Sequence, residues 1–195
     1  MANVALIAGP LVDLASAASA LADACGLQVV SAGNVFREHV LQQTPLGEEA
    51  IGYMQAGQLV TDELMVRAVA DALADVDDGW VLYGFPRTIR QAELLTRSGH
   101  VPDTVIELVL TEDQLHLAVQ RRVERRMELD PQVAVRRQEL LLTYAYAQEN
   151  HQAQIESLRA YYRARGPLQT VSGFGDFEEV AARLIPIASQ GRCRP

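Results

Sequence analysis

Short apolar runs that end close to a glycine, separated by longer helical stretches, constrain the fold of this chain most. The first run, NVALIA (3–8), leads into Gly9-Pro10, and WVLYG (80–84) ends at Gly84; a third run, VPDTVIELVL (101–110), ends at Thr111 instead. Continuous apolar runs of this kind are typical of parallel strands buried on both faces. With helices between them, they predict an α/β protein whose parallel sheet is flanked by helices.

Two shorter runs, LQVVSA (27–32) and PLQTVSG (167–173), complete the predicted strands. Helices are expected at 14–25, from Gly33 to about 43, at 47–57, 61–75, 89–97 and 111–126, from after Pro131 to about 165, and at 176–188. Thr111 and Gln114 have the spacing of a capping box.

The composition is that of a globular protein. The chain has 195 residues, of which 49% are hydrophobic, and this length suits one domain. Its net charge of −8 argues against a nucleic acid polymer as a partner. No apolar run reaches the ~20 residues that cross a bilayer, so we expect no membrane contact.

The cysteine content favours a reducing compartment. Cys25 and Cys193 are too few for a disulfide framework or a zinc site. The first residues lack a basic segment and include Asp13 and Asp23, so we expect no signal peptide. These features predict a cytoplasmic protein.

All 17 basic residues are arginine, and the chain contains no lysine. A mechanism that needs a side-chain ammonium is therefore excluded. In parallel α/β sheets, ligands bind at the carboxyl ends of the strands. Functional residues should consequently follow Ala8, Val30, Gly84 and Leu110.

Three motifs fall at those strand ends: SAGNVFREHV (31–40), YMQAGQLVTDELM (53–65) and YGFPRTIRQAE (83–93). Together they resemble the monophosphate-binding half of adenylate kinases, whose patterns run S-T-G-D-L-x-R, M-D-x-G-x-L-V-T-D-E and D-G-F-P-R-T-x-x-Q-A. The resemblance implies a P-loop NTPase-like parallel sheet with adenylate-kinase architecture. It further implies one domain over 1–188, with a nucleoside-monophosphate-binding insert at about 32–62, a short LID at about 123–135 and a flexible tail at 189–195.

The resemblance also implies an acceptor site for AMP. Its residues would be Gly33, Arg37, Met54, Val60, Gly84, Arg87 and Gln91. Arg37 and Arg87 would clamp the phosphate, which suits planar guanidinium donors. Gln91 would hydrogen-bond the adenine, whose edge matches an amide, and the backbone around Val60 and Gly84 would line the base.

On the donor side, Arg121 and Arg125 resemble the arginines that meet the base and phosphates of ATP. Arg136 or Arg137 would match a later arginine pair. In an active enzyme, Arg87, Arg121, Arg125 and Arg137 would be the catalytic residues. The short LID has no cysteine cluster, so we expect no metal there.

The phosphate-binding loop departs from the family pattern G-x-P-G-x-G-K-G-T. The segment here is AGPLVDLAS (8–16), in which Gly9 and Pro10 remain, Asp13 adds a negative charge, and Leu14 stands at the lysine position. Ser16 stands at the final threonine position. Missing glycines matter because bare backbone N–H groups must close around a phosphate.

Two further departures lie outside this loop. Tyr83 stands where the family has an acidic residue that organises Mg²⁺, and Ala32 replaces a threonine of the AMP site. Phosphoryl transfer depends on positioning and charge neutralisation, and each group lost commonly costs a hundred- to a thousand-fold in rate.

The resulting interpretation is an adenylate-kinase-like protein that binds AMP or a related nucleotide and transfers phosphate poorly. An active kinase that uses LID arginines, and would need Mg²⁺ with ATP, is one alternative. A repurposed enzyme acting on a nucleotide-like metabolite is another. The sequence leaves a protein partner or a homo-oligomer open.

Overall fold

A computed structural model describes residues 2–129 and 137–190. Within them, a parallel sheet has the strand order β2-β3-β1-β4-β5. The strands are β1 (Val4–Ala8), β2 (Gln28–Ser31), β3 (Trp80–Tyr83), β4 (Thr104–Val109) and β5 (Leu168–Ser172). The predicted parallel α/β sheet is confirmed.

The helices follow the predicted order. They are α1 (Leu14–Cys25), α2 (Ala32–Leu41), α3 (Pro45–Gln55), α4 (Asp62–Ala74), α5 (Ile89–Arg97), α6 (Glu112–Leu129), α7 (Arg137–Arg165) and α8 (Phe177–Gln190). The expected capping box of α6 is present, with hydrogen bonds in both directions between Thr111 and Gln114.

Some boundaries differ from expectation. Helix α3 begins two residues before the expected position 47, because Thr44 accepts a hydrogen bond from the N–H of Gly47 at 3.2 Å and Pro45 occupies the first turn. Helix α8 includes residues 189 and 190 of the expected tail. The rest of that tail, 191–195, and residues 130–135 of the expected LID lie outside the described residues.

The sheet is covered on both faces. Val4 and Leu6 of β1 pack with α1 and α8 on one face. Ala5 and Ile7 point the other way, into a cluster with α5 and α7. Because alternate residues of one strand are buried on opposite faces, the carboxyl end of β1 emerges between the two helical layers.

A buried ion pair fixes α7 against the sheet. The side chain of Glu107, in the middle of β4, is only 3% exposed. It accepts two hydrogen bonds from Arg159 of α7, at 2.8 Å from Nε and 2.6 Å from Nη2. Two parallel charge-assisted bonds of this kind set the orientation of the helix as well as its position.

The helices between β2 and β3 form a smaller cluster of their own. Leu46 and Ala50 of α3 pack against Leu64 and Ala68 of α4. Gly47 lies so close to the end of α2 that an added Cβ would be 1.9 Å from the carbonyl oxygen of His39. Glycine is therefore required where α3 crosses α2.

Replacing Gly47 with alanine should separate these two helices. We expect Gly47→Ala to lower the free energy of unfolding by about 1–3 kcal/mol, the usual cost of overpacking, measured from the urea midpoint. Gly52→Ala is the matched control in the same helix, because nothing lies within 4 Å of its added Cβ. The control should keep or raise stability, by up to ~1 kcal/mol; equal midpoints for the two variants would refute the packing argument.

Candidate functional site

A cavity with a volume of about 530 Å³ opens at the carboxyl ends of β1, β2 and β3. Its lining includes the loop after β1, the first turns of α2, the turn after β3 and one face of α7. Of the expected acceptor residues, it brings together Gly33, Arg37, Gly84 and Arg87. We call this space the acceptor cavity.

Two arginines give the acceptor cavity its positive charge. Arg37 Nη2 donates to Asn34 Oδ1 one turn back in α2. Arg87 Nε donates to the carbonyl oxygen of Gly84 at 3.0 Å. In the described part of the chain, neither guanidinium forms an ion pair with a carboxylate. Both therefore retain donors for an anion in the cavity.

Gly84 allows the sharp turn that carries Arg87. Its φ of +76° lies in the left-handed region that favours glycine. An added Cβ there would lie 4.0 Å from Arg87 Nη2. The turn continues through a cis peptide bond between Phe85 and Pro86, and Phe85 is buried beneath it.

Gln91 is placed differently from the expectation. Its side chain is buried, its Oε1 accepts from the N–H of Arg87 at 2.7 Å, and its Nε2 donates to Asp62 Oδ1 at 2.7 Å. The amide thus joins the turn after β3 to the start of α4, and Gln91 is not part of the cavity lining. An adenine contact through this amide would have to share it with Arg87 and Asp62.

Met54 and Val60 also lie outside the cavity lining. Met54 is 58% exposed, and Val60 packs against the cluster of α3 and α4. The structure therefore brings Arg37 and Arg87 to one cavity. Their role in clamping a phosphate, and the assignment of Met54, Val60 and Gln91 to the base, stay predictions.

Several backbone N–H groups of the loop after β1 and of the first turn of α1 donate to acceptors of the same segment. The N–H of Val12 donates to Gly9 O at 3.2 Å, and the N–H of Leu14 donates to Val12 O at 3.1 Å. The N–H of Ser16 donates to Asp13 Oδ1 at 3.1 Å, and its hydroxyl donates to Asp13 Oδ2 at 2.8 Å. A phosphate seated here would need such N–H groups free.

Asp13 is the N-cap of α1. Partial burial raises the pKa of its carboxyl group, but the hydrogen bonds from the backbone and hydroxyl of Ser16, the N–H of Ala15 and the charge of Arg122 together lower it. The net effect is a pKa below the ordinary value, so a fixed negative charge sits at the start of α1. That charge occupies the place where a helix N-terminus attracts an anion.

Two apolar or aromatic groups fill neighbouring positions. Leu14 and Tyr83 both line the acceptor cavity and pack against the core between β1 and α1. Tyr83 lies beside Leu6 in the sheet. Leu14 and Tyr83 therefore contribute a hydrocarbon side chain and a phenol to this part of the cavity wall.

A separate cavity of about 340 Å³ lies on the other side of the loop. Arg121, Arg122 and Arg125 of α6 line it together with Asp13 and Phe174. Arg121 Cζ is 5.4 Å from the centroid of the Phe174 ring, a cation–π contact. The assignment of Arg121 and Arg125 to ATP stays a prediction, and the side chain of Arg137 lies outside the described residues.

The sequence analysis missed three groups near the acceptor cavity: Asp62, which holds Gln91, His151, which lines the cavity, and the ion pair of Glu107 with Arg159. A signal for the last existed, because Glu107 is the one charge inside the apolar run TVIELV. His151 offered no comparable signal.

Among the described residues, no helix is both long and apolar enough to span a membrane.

Comparison with known proteins agrees with this geometry. The adenylate kinase family profile matches residues 7–184. An adenylate kinase of Beijerinckia indica is 34% identical over 173 residues, which is 86% of this chain and 89% of that protein. One from Acidothermus cellulolyticus is 32% identical, with 94% and 96% covered. One from Deinococcus radiodurans is 36% identical, with 86% and 87% covered.

The fold and the cavity define a nucleotide-binding α/β protein of the P-loop NTPase type. More particularly, the chain belongs to the adenylate kinase family. This family membership supports a function like that of a nucleoside monophosphate kinase.

The N-cap interaction can be tested by replacing Asp13. We expect Asp13→Ala to lower the free energy of unfolding by about 1 kcal/mol near neutral pH, because a helix loses its cap. A carboxyl group whose pKa is lower in the folded than in the unfolded state stabilises the fold at pH values above the unfolded-state pKa. This stabilisation is lost as the pH falls through the folded-state pKa. The difference from the original chain should therefore shrink as the pH falls below 3.8.

Asp13→Asn is the matched control, since asparagine caps a helix without a charge. The difference in the free energy of unfolding between Asp13→Asn and the original chain should also shrink in acid. The difference between Asp13→Ala and Asp13→Asn should not change with pH. Urea unfolding measured from about pH 7 to about pH 3 follows the ionisation range of a carboxyl group. A difference between the original chain and Asp13→Ala that is independent of pH would contradict the charged cap.

Proposed function

We propose that this chain binds a nucleoside monophosphate, AMP, in the acceptor cavity and transfers phosphate from ATP poorly. The observation that carries the proposal is the asymmetry between the two halves of the site. Arg37 and Arg87 face the acceptor cavity without a carboxylate partner in the described residues. In the loop after β1 and the first turn of α1, in contrast, the backbone N–H groups of Val12, Leu14 and Ser16 already donate to acceptors of the same segment.

The loop geometry supports a weak donor site for a definite reason. A triphosphate would have to replace the hydrogen bonds of Val12, Leu14 and Ser16 with its own. It would also approach the carboxylate of Asp13, and at neutral pH both groups are negative. The cost of separating a charged hydrogen bond is about 1.5–3 kcal/mol, and repulsion adds to it.

An active kinase remains the second candidate, and one observation favours it. Arg121, Arg122 and Arg125 line the cavity beside Asp13, so positive charge is available on the donor side without a lysine. The charge of Arg122 already acts on Asp13. Under this alternative, the arginines of α6 would neutralise the transferring phosphoryl group and ATP would carry Mg²⁺.

Arg87 should determine the affinity for AMP. Isothermal titration calorimetry should give micromolar to millimolar binding, and Arg87→Ala should weaken it by about tenfold or more, since a charged hydrogen bond contributes ~1.5–3 kcal/mol. Arg97→Ala is the control, because Arg97 is exposed at the end of α5 and does not line the cavity. Absence of both heat and a melting shift with millimolar AMP would refute monophosphate binding.

Turnover should distinguish the two candidate functions. In a coupled assay of ADP formation from ATP and AMP, we expect the unmodified protein to fall far below the usual enzyme range of ~1–10³ s⁻¹. A rate within that range would instead establish that arginine and backbone suffice without the loop lysine.

A graft tests whether the defect is local. Leu14→Lys alone should do little, because the new ammonium would face Asp13 in a loop that cannot enclose a phosphate. The set Leu11→Gly, Asp13→Gly, Leu14→Lys, Ala15→Gly and Tyr83→Asp should restore measurable conversion. Groups that act as a unit have non-additive effects, so the gain should far exceed the sum of the single changes. Melting curves of each variant control for folding.

A further inference from the structure

His151 of α7 lines the acceptor cavity together with Arg37 and Arg87. It also lines a smaller cavity of about 190 Å³ that is bounded by Glu107 and Arg159. The imidazole is partly buried and has no hydrogen bond to any of the described residues. It is therefore a polar group that lines the same cavity as the two guanidiniums, and neither ring nitrogen has a hydrogen-bond partner among the described residues.

The position of His151 follows from helix geometry and from the buried ion pair. Residues 151, 155 and 159 are spaced four apart and lie on one face of α7. Arg159 is held by Glu107, and Ile155 packs into the core with Ala5 and Ile7. Because Arg159 and Ile155 are held in this way, His151, which lies one turn earlier on the same face, is directed toward the carboxyl ends of the strands.

Three charged groups act on the imidazole from the elements packed around it. Partial burial lowers the pKa of His151 most, the charges of Arg87 and Arg159 lower it further, and Glu107 opposes them. The carboxylate of Glu107 is already engaged in two hydrogen bonds with Arg159. The ring is thus mainly neutral near neutral pH while the cavity contains no anion.

A bound phosphate would reverse that balance. A phosphate dianion between Arg37 and Arg87 would offset the positive charge of Arg87, which now lowers the pKa of His151. A negative charge close to the imidazole favours its protonated form. In the described part of the chain, the ionisable residues that line the acceptor cavity are Arg37, Tyr83, Arg87 and His151. Of these, only histidine ordinarily titrates near neutral pH.

We propose that His151 is a phosphate-binding residue of the acceptor cavity and takes up a proton from solution when the phosphate of AMP binds. This inference rests on the proposed function, because it concerns the same ligand. It assigns the proton-dependent part of the affinity to one side chain. It also makes AMP binding sensitive to pH in the range where histidine titrates.

Histidine NMR tests the proton uptake directly. The chain contains four histidines, and the resonance missing from His151→Gln identifies the one of interest. Its pKa should rise by about half a unit or more when AMP saturates the site, as expected for a nearby opposite charge. Adenosine is the matched ligand without phosphate and should leave that pKa close to its free value.

The outcomes separate the two proposals. If AMP shifts other resonances to saturation while the pKa of His151 stays at its free value, the inference is wrong and monophosphate binding stands. If millimolar AMP changes no resonance at all, monophosphate binding fails and the inference fails with it.

Affinity measurements supply an independent readout. His151→Gln should weaken AMP binding by about fivefold near pH 6 and by less than about twofold near pH 8.5, because only the charged ring adds a strong hydrogen bond. His116→Gln, an exposed histidine of α6 outside the cavity lining, should bind like the original chain at both pH values. The AMP phosphate itself titrates near pH 6, so the affinities of the variants are compared with one another at the same pH. If His151→Gln weakened AMP binding equally at both pH values, the proposed proton uptake would be wrong.

Discussion

The burial of β1 on both faces is the constraint on which the rest of the structure depends. Val4, Ala5, Leu6 and Ile7 are at most 4% exposed, so two helical layers must cover the strand. At the carboxyl end of β1, the chain therefore emerges between those two layers. The loop after β1 consequently lies at the cavity by topology, whatever chemistry its residues support, and the same topology brings the ends of β2 and β3 beside it.

At that loop, backbone donors have two competing uses. The first N–H groups of a helix lack partners within the helix, and either a bound anion or the chain itself must satisfy them. Here Asp13 supplies the acceptor, with both carboxylate oxygens engaged by Ser16. A tethered carboxylate loses less entropy than a free ligand when it is ordered. The internal arrangement is therefore a persistent competitor for any donor phosphate.

Much of this arrangement could be predicted from the sequence because it follows from local patterns. The strands, the cap at Thr111 and the place of Arg37 and Arg87 depend on periodicity, short-range hydrogen bonds and motif spacing. The partner of Gln91 and the orientation of His151 could not be predicted in this way. Asp62 is 29 residues from Gln91, and the orientation of His151 depends on an ion pair between β4 and α7 that spans 52 residues. Such contacts are set by tertiary packing, which the local pattern does not encode.

The two halves of the site also differ in how they tolerate change. The acceptor side acts through long charged side chains, whose tips can reach an anion from several backbone positions. The donor side acts through backbone N–H groups, and these lose their access to a phosphate when side chains are added around them. Val12 packs close to Gly173, where an added Cβ would lie 3.2 and 3.4 Å from its methyl groups. Under the proposed function, an anion site built from the side chains of Arg37 and Arg87 therefore works without free backbone donors in the loop after β1.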